Sequence, residues 1–163
     1  MYRTITMQLA DGSTRNVPFK SCGTTAIRFK MLFGKELLGS ITSIINAAGT
    51  KGIEQILKAT QKAEHEGKET ISTDDMDQET LQTIIKIGSS GELDTISKMA
   101  YIMNMAATGA NMNELSIEKY LDWLDQFESM EFLTKSMEFI DIYMSNRDTS
   151  VEPKKDHAQL TDR

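Results

Sequence analysis

Hydrophobic and polar positions alternate from Tyr2 to Leu9, in a stretch rich in β-branched and aromatic residues. Ala10-Asp11-Gly12-Ser13 follows, and Asp-Gly is a strong signal for a tight hairpin turn. Thr14 to Phe19 reads as the return strand, with Pro18 near its end or on an edge. The pattern then changes from period 2 to helical spacing. A helix is expected over 24–38, entered from Thr24 or Thr25 and interrupted near Gly34. Ile41 to Ala48 is a short apolar helix stopped at Gly49. Ile53 to Glu66 is another, with Ile53, Ile56 and Leu57 on one side and Gly67 as its stop. Thr73 or Asp74 is placed to cap a helix running to Ile87, with Leu81, Ile84 and Ile85 facing inward.

Gly88 to Gly91 reads as a loop, and Ser89 and Glu92 have capping-box spacing. The next helix, to about Ala107, is apolar nearly all round, as in the buried centre of a bundle. Gly109 and the Asn-rich stretch to Asn113 end it. From Ile117 to Phe127 the pattern is amphipathic. Ile117, Tyr120, Leu121, Leu124 and Phe127 share one face, Glu118, Asp122 and Asp125 the other, and Trp123 lies at the edge of the apolar arc. Ser129 is placed to cap a last helix, Met130 to Ser145. There Met130, Leu133, Met137, Ile140 and Met144 have heptad-like spacing, and Phe132, Phe139 and Tyr143 form a second stripe beside them. The two stripes cover roughly half the circumference, wider than a helix packed on one side needs. From Asn146 the chain is polar and reads as a flexible tail.

The expected fold is therefore α+β and mainly α, an N-terminal β-hairpin (2–19) packed on a bundle of about five to six helices (24–145). Residues 1–145 form one domain, and 146–163 a C-terminal tail. A two-stranded hairpin is marginal alone, so it must pack on the helices. A chain of 163 residues is long enough to bury a core without disulfides or metals.

Charge adds an asymmetry that hydropathy does not show. The net charge is −6. Residues 1–35 nevertheless hold six bases against one acid, a net of +5, while 113–141 hold eight acids against two bases, a net of −6. The acidic total argues against general nucleic-acid binding. The two ends are expected to attract each other, within one chain or between subunits.

The chemistry-bearing residues point away from catalysis. A lone Cys22 and two distant histidines, His65 and His157, do not make a zinc site. Gly34-Lys35 lacks the earlier glycine and the following Ser or Thr of a phosphate-binding loop. Asp122 and Asp125 read as a solvated face rather than a catalytic pair. Asp74 to Asp77 lacks the glycine and the glutamate of a calcium loop. No segment approaches the ~18 apolar residues of a membrane span, and the first residues are not a secretion signal. We expect no enzyme activity, no cofactor and no bound metal. Methionine is the unusual component: 11 in all, seven between Met99 and Met144. Met side chains suit either an irregular core or a surface that accepts varied apolar partners.

A hairpin, a segment RFKMLFGKELL, a Met-rich helix carrying KMAYIM, then YLDWLDQFE and a helix ending IDIYMSNRDTSVEPKKD follow one another. In type and order these elements resemble the tail assembly chaperones of long-tailed phages and prophages of low-GC Gram-positive bacteria. The resemblance is strongest over 117–156 and weakest between 40 and 90. It implies a protein of the host cytoplasm, absent from the mature virion, that binds and solubilises the tape measure protein and promotes polymerisation of the tail tube protein. It also implies self-association in some members, and a longer form made by ribosomal frameshifting, for which Lys154-Lys155 codons can supply a slippery run. The partner surface is expected on Trp123, Phe127, Met130, Phe132, Met137, Phe139 and Tyr143. A structural protein of the tail or head–tail junction is the alternative, and a small DNA-binding regulator using the basic front end is a further one.

Overall fold

The computed structural model describes residues 1–65, 77–89 and 93–145. The expected caps at Thr73 or Asp74, the Ser89–Glu92 box, the loop to Gly91 and the tail from Asn146 lie outside what is described, in whole or in part.

Strands β1 (Tyr2–Gln8) and β2 (Thr14–Lys20) form the antiparallel hairpin, with Ile5 opposite Val17 and Arg3 opposite Phe19. Strand alternation puts Ile5, Met7, Val17 and Phe19 on one face, all buried at 4% exposure or less. The turn is locked by the Asp11 carboxylate, which accepts from the Ser13 N–H at 2.9 Å and hydroxyl at 2.6 Å. Those two bonds hold the Asp11 carboxyl below the usual carboxylate range. Pro18 opposes Thr4, and its carbonyl accepts from Asn104 Nδ2 at 2.8 Å.

Seven helices follow among the described residues: α1 (Thr25–Phe33), α2 (Leu37–His65), α3 (Gln78–Ser89), α4 (Leu93–Thr108), α5 (Ile117–Leu124), α6 (Glu131–Thr134) and α7 (Ser136–Met144). The first helical segment divides at Gly34 as its sequence suggests. In α2 the axis breaks at Gly49, where φ is 67° and ψ 164°. Residues with a Cβ avoid that conformation, so the stop expected at this glycine is physical. Gly109, at φ 72°, closes α4, and the Ala110 N–H reaches back to the Met105 carbonyl at 3.1 Å.

The all-round apolar helix occupies the centre. α4 packs against the hairpin and every other helix. Its residues Ile96, Met99, Ala100, Tyr101, Ile102 and Met103 are at most 1% exposed.

Four local expectations are corrected. Helix α5 stops at Leu124, and Phe127 lies beyond it, bridged to Leu9 of the hairpin. The last helix is two: α6 and α7 meet at Lys135, where φ −98° and ψ 14° leave the helical region. Ser129 does not cap it: Met130 is the N-cap of α6 and makes no side-chain cap bond, while the Glu128 carboxylate accepts from the Met130 N–H at 2.7 Å just before the helix. In α3 the buried face carries Thr80, Thr83 and Ile87, whereas Ile85 is 67% exposed. The reason is close approach: a Cβ on Gly52 of α2 would stand 2.6 Å from Thr83 Cγ2, so α2 meets α3 on its threonine side.

Candidate functional site

The charge asymmetry of the sequence is partly resolved inside the fold. Arg3 Nη1 of β1 pairs with Asp141 of α7 at 3.2 Å. Arg15 lies over the Phe127 ring, 5.6 Å from its centre, and donates to Gln126. Arg28 donates to the Met112 carbonyl at 3.0 Å, and Lys30 pairs with Glu36. Of these, Arg3–Asp141 joins the basic front to the acidic back within one chain.

The most consequential contact of this kind is buried. Glu131, 2% exposed, accepts from the Gln8 N–H at 2.8 Å. Lys135, one turn later, lies 3.4 Å from the same carboxylate and donates to the Thr6 carbonyl. The Glu128 N–H donates to the Gln8 carbonyl at 3.1 Å. Together they occupy backbone groups on the open edge of β1, which would otherwise offer a template to another strand. Burial pushes the Glu131 carboxyl above its usual range, opposed by the Gln8 bond and by Lys135.

The seven residues expected to bind a partner separate into two groups. Trp123, Phe127, Phe132, Phe139 and Tyr143 are all buried, at 7% exposure or less. Trp123, Phe127, Phe132 and Phe139 belong to one aromatic chain: Phe19–Phe139 at 4.9 Å, Phe139–Phe132 at 5.8 Å, Phe132–Trp123 at 5.3 Å and Trp123–Phe127 at 4.9 Å. Trp123 Nε1 also donates to Asn104 Oδ1 at 3.0 Å. The wide apolar arc of 130–145 is therefore met by the chain's own hairpin and α4. Met130 and Met137 are only half-buried. An open groove along the Phe132–Phe139–Tyr143 stripe is not what the fold presents.

A smaller opening remains. Between α4, the end of α5 and α6 lies a cleft of about 460 Å³. Phe127, Met130, Phe132 and Leu133 form apolar wall, Leu124 faces it from α5, and Ser97 and Tyr120, bonded to each other at 2.7 Å, line it too. Asp94 and Asp125 supply carboxylates. It thus unites three of the seven expected residues: Phe127, Met130 and Phe132. Along α5, Ile117 and Leu121 continue the apolar row at 54% and 50% exposure. Ile117 and Leu121 belonged to the amphipathic face in the sequence, but nothing there marked them as the part left uncovered.

Other residues with chemical potential remain isolated. Cys22 is half-buried, its Sγ 3.4 Å from Thr24 Oγ1 and 3.5 Å from Thr25 Oγ1. Burial raises its thiol, but those hydroxyls and Arg28 bring the net shift downward. Asp122 and Asp125 are both exposed. Among the described residues no group of His, Cys, Asp and Glu is arranged to hold a metal, and no helix is long and apolar enough to cross a membrane. No protein-family model matches the chain, and no curated protein or solved structure does.

Proposed function

We propose that this chain is a phage tail assembly chaperone, which binds the tape measure protein, keeps it soluble and promotes polymerisation of the tail tube protein around it. The order and type of its elements, from the hairpin to IDIYMSNRDTSVEPKKD, support this reading. The structural observation that carries it is the outward apolar row Ile117–Leu121–Leu124, which leads into the cleft at Met130. A holding chaperone needs accessible, adaptable apolar surface beside enough charge to keep the complex in solution. The acidic face of α5 supplies that charge next to the row. In this role the protein works in the host cytoplasm and leaves before the virion is complete.

The engagement of Arg3, Arg15, Arg28 and Lys30 within the fold favours a protein partner over DNA for this chain.

The test is co-expression with the tape measure protein of the same genome. The wild-type chain is expected to keep that protein in the soluble fraction and to copurify with it. Leu121→Asp and Met130→Glu are expected to abolish copurification with unchanged helical circular dichroism. Variants that copurify normally would place the partner elsewhere on the surface. A wild-type chain that leaves the tape measure protein insoluble would overturn the function itself. Phe139→Asp is not a useful probe, since it puts a charge in the core.

A further inference from the structure

We propose that the cleft between α4, α5 and α6 receives an amphipathic helix with a basic residue beside its apolar stripe, and that Asp125 anchors that residue; this rests on the partner-binding reading above. The first argument is the shape of the row. Successive i, i+4 positions on a helix advance by about 40°. Ile117, Leu121 and Asp125 follow that progression, so the carboxylate borders the apolar row on α5. The second argument is electrostatic. Asp125 is exposed and makes no side-chain hydrogen bond or ion pair among the described residues. It also sits at the C-cap of α5, where the last carbonyls already carry negative partial charge. An acid there is unfavourable by itself and favourable once a cation arrives from outside. Asp94 on the facing wall is engaged by Lys98, which also lies 5.2 Å from the centre of the Phe33 ring. That pairing balances the Asp94 charge locally, while Asp125 keeps its acceptors free. Apolar wall and an unmatched carboxylate at the lip together favour Lys or Arg flanking a Leu- or Met-rich helical stripe.

The fold carries its own reporter. Trp123 is the single tryptophan, and its ring stands 4.9 Å and 5.3 Å from Phe127 and Phe132, both cleft residues. Two synthetic helical peptides without Trp or Tyr would be titrated against the intact chain. They share one apolar stripe and differ only in Lys or Glu at the flanking positions. The Lys peptide is expected to change Trp123 emission and to bind roughly tenfold more tightly than the Glu peptide. In Asp125→Lys that preference should vanish, and in the Asp94→Lys, Asp125→Lys double variant it should reverse. A reversal is a result that misfolding does not produce. Equal binding of the two peptides, no binding of either, or an unchanged preference in Asp125→Lys would overturn the proposal. So would sedimentation showing a dimer of this chain that Asp125→Lys dissociates, since a second copy would then fill the cleft. If the tape measure protein copurifies but the peptides show no charge preference, the chaperone reading stands and this inference falls. If the preference holds and the tape measure protein stays insoluble, the cleft recognises basic helices and the chaperone reading falls.

Discussion

The inner and outer sides of residues 117–145 have similar amino acids and opposite fates. On the inner side, Trp123, Phe132, Phe139, Ile142 and Tyr143 are sealed against α4 and the hairpin. On the outer side, Ile117 and Leu121 are half open to water, and Leu124 and Met130 border a cleft. Both sets are apolar and both follow helical spacing. What separates them is the presence of an internal neighbour. The hairpin reaches the inner side through Phe19, and Glu131 and Lys135 fasten its edge there. No described element covers the outer row to that extent. A partner therefore competes with water at the outer side, but with the fold itself at the inner side.

The sharpest way to separate the two sides is to truncate one residue from the sealed set. Phe139→Ala removes a fully buried ring between Phe19 and Phe132. Its unfolding free energy should fall by about 4 kcal/mol, read by urea denaturation. The remaining folded fraction should still bind the partner, because the outer row is untouched.

Removing the fastening comes next. Lys135→Met leaves the Glu131 carboxylate buried without its cation and the Thr6 carbonyl without its donor. The loss at neutral pH should be roughly 3 kcal/mol. It should shrink on acidification, because a protonated Glu131 no longer needs the cation. Glu131→Gln provides the complementary test. Glu131 titrates higher in the folded chain than in the unfolded one, so the folded state holds more protons in the range between the two values. Its contribution is full below the unfolded value and is lost as pH rises through the folded one. Glu131→Gln should therefore flatten the stability–pH curve just above the usual carboxylate range. An unaltered curve would mean that the carboxylate is solvated, and the β1 edge less tightly closed than the geometry indicates.

The smallest stability effect belongs to the outer side. Leu121→Asp should change unfolding free energy by no more than about 0.5 kcal/mol, as expected of an exposed site, while it removes copurification with the partner. A large destabilisation instead would show that the outer row supports the core, and the contrast between the sides would collapse.

The α+β architecture was legible because its signals are local. Strand alternation and Asp11-Gly12 specify the hairpin, Gly34, Gly49 and Gly109 mark real ends, and α4 had to be central because it is apolar all round. The acidic face of α5 also reads directly, since Glu118, Asp122 and Asp125 all fall outside the apolar arc of the wheel. The break at Lys135 was not legible, because heptad spacing runs through it without interruption. Nor was the burial of Glu131, because Gln8, which donates to it, and Thr6, which accepts from its partner Lys135, are more than a hundred residues away in sequence.

Sequence by itself determined which residues are apolar, at what period, and where the chain must turn. Tertiary structure alone decided that the Phe132–Phe139–Tyr143 stripe is core and that Ile117, Leu121 and Met130 are surface. Periodicity records only that a face prefers not to meet water. Whether the chain's own hairpin or another molecule covers that face depends on contacts between distant segments, which no local pattern contains.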